Sequence, residues 1–317
     1  MDERNDRVAG VLVGGACGDA LGVPYEFGTR PLDDEPRMLG GGLGDYAPGE
    51  YSDDTQMAVC IAEVAAGHAD LRDPAVLDLI AAAFVRWRVE GATDIGVQTK
   101  RVLDTVRGRD TAGLGTAITE AARELHAETG RSAGNGSLMR TGPVALAYPD
   151  DPAGLAEAAR AISELTHHDP LAGDGCVIWC EGIRQAVAGG GFAGVRAGVE
   201  LLPTERRADW ARWLDEAEHF PPAYFPNNGF VVTALQAAWS AIIRTPEGDH
   251  FRQGASAAVH AGNDTDTVAA IAGALLGARW GVSGIPQEWL DVVHGWDGYR
   301  LPQLVRLALR IGGTGGD

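Results

Sequence analysis

The sequence predicts an all-α fold: a compact single-domain bundle of roughly a dozen or more helices. Three observations predict it. Apolar residues recur at helical spacing along most of the chain, strand-like alternation is scarce, and many segments are Ala-rich with small residues four apart. With a mean helix of about 11–12 residues and about 40% of a chain outside regular structure, 317 residues hold roughly that number. No composition shift marks a domain boundary and no internal repeat is evident, so residues 1–311 form one unit and 312–317 a flexible, Gly-rich tail.

The elements follow in order. A first helix ends at Gly18-Asp19-Ala20-Leu21-Gly22, and Tyr25-Glu26 falls in the loop after it. Residues 28–52, rich in Gly, Pro and Asp with Gly40-Gly41-Gly42 among them, read as a long loop. Ser52-Asp53-Asp54-Thr55 opens a helix whose Met57, Cys60, Ile61 and Val64 share one face. Val76, Leu79, Ile80, Ala83, Phe84 and Trp87 predict another over 74–88. Thr93-Asp94-Ile95-Gly96 offers Asp94 as a helix cap. Gly134-Asn135-Gly136-Ser137-Leu138-Met139-Arg140 is a glycine-rich turn feeding a helix. Thr166-His167-His168-Asp169-Pro170 ends one helix and begins the next. A second long loop, 218–229, contains Pro221-Pro222, Pro226 and Asn227-Asn228-Gly229. Val231, Ala234, Leu235, Ala238 and Ile242 then repeat the helical pattern. Gly262-Asn263-Asp264-Thr265-Asp266-Thr267 opens a last Ala-rich helix, where Gly273 and Gly277 permit close helix contact.

Composition narrows the function. A hydrophobic fraction of 45% suits a sizeable core, and a net charge of −18 repels nucleic acid and anionic membranes. Nucleic acid is therefore not expected as a partner, although a small phosphorylated ligand is compatible. Cys17, Cys60, Cys176 and Cys180 lack zinc-ribbon spacing and read as reduced core thiols of a cytoplasmic protein. The charged N-terminus has no long apolar run after it, so neither a signal peptide nor a membrane span is expected.

Chemistry concentrates in the two acidic runs. Taken singly, each reads as a capping turn, since Asp and Ser are favoured caps and acids suit a first turn. A cap needs one side chain, whereas each run offers several oxygens, with hydroxyls from Ser52, Thr55 and Thr267 alongside. Brought together, Asp53, Asp54, Asp264 and Asp266 would repel one another, and hard cations such as Mg²⁺ or Mn²⁺ would remove that repulsion. The glycine-rich run has backbone N–H groups suited to a phosphate, with Asn135 and Ser137 as further donors; no Walker ending follows it. Glu26 is a candidate base, and Asp94 a carboxylate able to pair with a guanidinium. His167 reads first as a helix-end histidine, and Phe230 as a core aromatic or a base-stacking ring.

Together these residues resemble the ADP-ribosylglycohydrolase family, which includes the dinitrogenase reductase-activating glycohydrolase and the ADP-ribosylarginine hydrolases. Gly18 through Gly22, Ser52 through Thr55, Gly134 through Arg140, Thr166-His167 and Gly262 through Thr267 carry the match, in the family's order. The resemblance implies an all-α fold around a binuclear site for two divalent cations, Mg²⁺ or Mn²⁺. It implies that Ser52, Asp53, Asp54, Asp264, Asp266 and Thr267 are metal ligands, Ser52 standing where most members have Thr. It implies catalytic roles for Glu26, Asp54 and Asp94, the last in an Asp-Ile-Gly stretch like that of arginine-specific members. Gly134, Asn135, Gly136, Ser137 and His167 are implied ligand contacts, with Phe230 near the adenine. The expected activity is release of ADP-ribose from an ADP-ribosylated protein, at arginine, by a monomer. Hydrolysis of serine-linked, O-acetyl- or nucleic-acid-linked ADP-ribose is the alternative, and a noncatalytic ADP-ribose-binding relative is the alternative of another class.

Overall fold

The computed structural model describes residues 1–32 and 35–313; residues 314–317 of the expected tail lie outside the described residues. Fifteen α-helices account for the described architecture. They are α1 (Glu3–Gly22), α2 (Asp53–Ala65), α3 (Pro74–Glu90), α4 (Val97–Thr105), α5 (Leu114–Thr129), α6 (Gly142–Ala147), α7 (Pro152–Glu164) and α8 (Pro170–Val187). They continue with α9 (Ala193–Val199), α10 (Thr204–His219), α11 (Val231–Ile243), α12 (His250–Val259), α13 (Thr265–Trp280), α14 (Gln287–Leu290) and α15 (Leu301–Ile311). The described sheet is one antiparallel pair of two-residue strands, β1 (His294–Gly295) and β2 (Tyr299–Arg300).

Local chemistry explains where helices start. Asp73, Asp151 and Asp169 each precede a proline, and each carboxylate accepts a first-turn backbone N–H, at 2.9, 2.9 and 3.0 Å. The proline loses no hydrogen bond at that position and its fixed φ suits the helix. In α3, Val76, Ile80, Phe84 and Trp87 form the buried stripe. Leu79, expected on it, is 39% exposed, because it falls beside that stripe rather than on it.

Helices α1 and α13 form the central pair. Their glycines make the contact: a Cβ on Gly277 would lie 1.9 Å from the Gly10 carbonyl oxygen, and one on Gly273 would lie 2.2 Å from that of Gly14. By length and composition Glu3–Gly28 is apolar enough to cross a membrane, but 94% of its most apolar window is buried within the fold, as in a core helix. All four cysteines are buried free thiols. Burying α1 and α13 this closely brings the C-terminal end of α1, the loop after it and the N-terminus of α13 to one place.

Candidate active site

The N-terminus of α2 is capped by another helix. Asp19, in the last turn of α1, accepts the Ser52 N–H and hydroxyl through Oδ1, each at 2.8 Å. Its Oδ2 accepts the Thr55 N–H at 2.9 Å and the Thr55 hydroxyl at 2.6 Å. Three donors, with the shared Ser52 hydroxyl as a fourth, hold this carboxylate, so Asp19 is an anchor. It also releases Ser52 from capping. The Ser52 hydroxyl instead lies 3.0 Å from Asp54 Oδ2 and 3.2 Å from Asp266 Oδ2, besides Asp19. Its single proton serves one of three carboxylates at a time.

The N-terminus of α13 shows the same economy. Asp264 occupies the cap position without making a cap bond. Its N–H donates to Asn228 Oδ1 at 3.1 Å, and Asn228 Nδ2 donates to the Gly262 carbonyl at 2.8 Å. The Asp264 carboxylate is thereby free to turn inward, where Asn135 Nδ2 donates to it at 2.7 Å. The Thr265 hydroxyl donates to the Gly22 carbonyl, tying α13 to the end of α1. The Phe27 N–H donates to the Asn263 carbonyl, and both residues have positive φ, 44° and 58°. Neither is glycine, so this junction is backbone held in a sparsely populated region.

The result is a nest of carboxylates. Oxygens of Asp19, Asp54 and Asp266 lie within 4.8 Å of one another, and so do those of Glu26, Asp264 and Asp266. Burial, then mutual repulsion, pushes Asp53, Asp54 and Asp266 well above the ordinary carboxylate value. Asp264 is raised by burial against the hydrogen bond from Asn135. Glu26 is raised to about 9 by burial and then by Asp94, Asp264 and Asp53. Asp54 Oδ1 and Glu26 Oε2 are buried without a hydrogen-bond partner. Oxygen-rich, desolvated, mutually repelling and incompletely hydrogen-bonded, this donor set fits hard divalent cations.

Above the nest opens a cleft of about 470 Å³. Glu26, Asp53, Asp94, Gly134, Asn135, Gly136, His167, Asp264 and Thr267 line it. Ser52, Asp54 and Asp266 lie buried, joined through the Ser52 hydroxyl. Asp94 does not cap α4, whose cap position is Gly96; it faces the cleft, half-buried, with no ion-pair partner among the described residues. The Asn135 amide, expected to meet a phosphate, is committed to Asp264 and the Asn228 carbonyl. Ser137 is sealed behind the glycine-rich wall, accepting from Ser163 at 2.9 Å, and Phe230 is half-buried against the core; neither lines the cleft. Phe27, Leu43 and Val97 form an apolar rim that periodicity could not reveal, because they sit in loops or at a helix start. A second cavity, about 520 Å³ around Pro221, Arg252 and His260, holds none of the clustered carboxylates.

An all-α bundle whose central helix ends enclose an acidic, cation-fitting cleft defines a hydrolase-like architecture of the kind the sequence resemblance implies. Comparison identifies it: the family model described as ADP-ribosylglycohydrolase matches residues 1–316, and the chain belongs to that family. It is 29% identical to the ADP-ribosyl-[dinitrogen reductase] glycohydrolase of Rhodospirillum rubrum, with 90% of each chain covered. It is 30% identical to the ADP-ribosylarginine hydrolase Tri1 of Pseudomonas putida (strain GB-1), covering 91% of this chain and 74% of the relative. A solved structure described as an ADP-ribosylglycohydrolase-related protein complex superposes with a TM-score of 0.76 at 31% identity, over 99% of both chains. The chain is thus a glycohydrolase enzyme by family.

Proposed function

We propose that this glycohydrolase depends on divalent cations and releases ADP-ribose from arginine side chains of an ADP-ribosylated protein. Asp94 carries the acceptor assignment. It is a carboxylate on the wall of the acidic cleft with no ion-pair partner among the described residues, and burial raises its pKa. A bound guanidinium would supply the missing charge through a paired, charge-assisted hydrogen bond. The relatives named for ADP-ribosylarginine and dinitrogen reductase support this reading.

Bound Mg²⁺ or Mn²⁺ would neutralise the nest and polarise oxygens of the sugar, with Asp53, Asp54, Asp264, Asp266, Ser52 and Thr267 as the residues that hold the cations. The other roles belong to the chain itself. Glu26 reaches the cleft whereas Asp54 is sealed beneath it. Glu26 is accordingly the group that exchanges a proton with the attacking water as positive charge develops on the ribose. The turn at Gly134 and Gly136, with His167 behind it, faces the ligand's diphosphate. Asp94 holds the departing guanidinium in line.

Arginine-linked and serine-linked ADP-ribosyl peptides, assayed with Mg²⁺, Mn²⁺ or chelator, test this. Release is expected from the arginine substrate and only with cation. Asp94→Ala is expected to slow arginine-linked turnover roughly 10- to 150-fold, the worth of a buried hydrogen bond to a charged group. Affinity for free ADP-ribose should barely change. Full turnover in metal-free protein would refute cation dependence, and equal losses on both substrates would refute the acceptor role.

A further inference from the structure

Arg140 is a buried cation with no carboxylate partner among the described residues. It is 0% exposed. Its Nη2 donates to the Thr166 hydroxyl at 2.6 Å, its Nη1 to Met57 Sδ at 3.5 Å, and its Cζ lies 4.4 Å from the Phe84 ring centre. Its Nε has no partner. An ionised group held this way is costly, and hydrogen bonding to neutral groups repays little of that cost. The fold therefore has to gain something from it.

What it gains is written in the next contact. The Thr166 hydroxyl is fully buried and lies 2.7 Å from His167 Nδ1. A guanidinium can only donate, so the Thr166 oxygen accepts from Arg140. Its one proton must then go elsewhere, and among the described residues His167 Nδ1 is its remaining partner. Nδ1 is thus the acceptor, since a Thr166 oxygen accepting from both neighbours would leave its own buried proton without a partner, and a neutral imidazole with an unprotonated Nδ1 carries its proton on Nε2. Protonation of both nitrogens would put a second donor against Thr166 and a second cation beside Arg140. Burial and that neighbouring charge push His167 down to about 3, which keeps the ring neutral.

The Nε2 edge faces the cleft wall. A Cβ on Gly134 would come 3.2 Å from His167 Nε2, and one on Gly136 would come 3.1 Å from it. Glycines at both positions keep a side chain from closing over that edge, and His167, 2% exposed, lines the cleft. We infer that Arg140 is a positioning residue that acts through Thr166 to fix His167 as the Nε2–H tautomer, presenting a preset donor to an anionic oxygen of the ligand. The diphosphate of ADP-ribose is the matching acceptor, since it carries no proton of its own near neutral pH; that identification rests on the function proposed above. The unpaired guanidinium adds a fixed positive charge behind the same wall.

Nitrogen NMR of the native chain with isotope-labelled histidine tests the inference, with His167→Gln used to assign the signal. His167 should show a protonated Nε2 and an unprotonated Nδ1, unchanged from about pH 5 to about pH 8, unlike an ordinary histidine. Thr166→Val keeps the shape, removes the hydroxyl and leaves Arg140 in place; it should release the tautomer and weaken ADP-ribose binding roughly tenfold or more. Thr166→Ser should restore both. A protonated Nδ1 in the native chain would overturn the inference. So would a Thr166→Val protein, shown folded by its thermal transition, in which the tautomer changes and affinity does not. If the native chain shows the Nε2–H ring yet fails to bind ADP-ribose, the tautomer control stands and the proposed function falls.

Discussion

Ser52 and Asp264 stand where helices take their caps, and neither side chain caps. Asp19 and Asn228 do that work from outside, which leaves the acidic side chains pointing at one another. The residue types were legible in the sequence because each run supplies more oxygens than a cap can use. The inversion was not legible, since Asp19 is 33 positions from Ser52 and nothing in local spacing links them. The commitment of Asn135 to Asp264 was hidden for the same reason. Asp264→Asn follows from this geometry. It removes one charge from a repelling cluster while retaining a polar group of the same size. Turnover should fall to background at limiting cation, whereas the cation-free protein should melt at the same temperature or higher. Kinetics and a thermal scan of the same preparation check both. Near-normal turnover would show that Asp264 is not needed for cation binding, and a sharp loss of cation-free stability would show that its charge is supported rather than strained.

At the scale of elements, Gly273 and Gly277 announced a close helix contact, and the contact is there. The partner was not announced, because a period of small residues marks a face without naming what packs on it. In the fold it is α1, through Gly10 and Gly14. That contact sets the site, since α1 leads into Glu26 while α13 begins at Asp264 and Asp266. Gly277→Ala would place a methyl 1.9 Å from the Gly10 carbonyl oxygen, and backbone cannot step aside as a flexible side chain can. A loss of about 1–3 kcal/mol or more is expected in urea unfolding, with reduced turnover as the helices part. Gly15→Ala is the control on the same helix, where the nearest neighbours would be 3.7 Å away. It should be neutral or gain up to about 1 kcal/mol from helix propensity. If both substitutions cost the same, the helices are not in this register.

The whole molecule carries a net charge of −18 and buries several of its carboxylates together, which fixes how its stability responds to pH. Two sets of acids pull in opposite directions. Exposed Asp70, Asp104 and Glu288 are held below their ordinary values by Arg72, Lys100 and Arg252 respectively. Their contribution is present above the ordinary carboxylate value and is lost as pH falls through the lowered one. The nest behaves inversely. Asp19 is raised to about 6 and Glu26 to about 9, chiefly by burial, and Asp53, Asp54 and Asp266 are raised as well. Between the ordinary value and the raised one, the folded chain holds more protons than the unfolded chain, so stability falls as pH rises through that window. Without cations, the melting temperature should decline steadily from about pH 5 to about pH 8. On the cation dependence proposed above, Mg²⁺ would bind the ionised nest in competition with protons, so the melting-temperature gain it gives should be small at the acid end and grow toward the alkaline end. Thermal scans with Mg²⁺ and with chelator across that range read both slopes. A cation-free melting temperature that rises with pH, or a Mg²⁺ gain that is the same at both ends, would mean that the carboxylates are not gathered and desolvated as the fold places them.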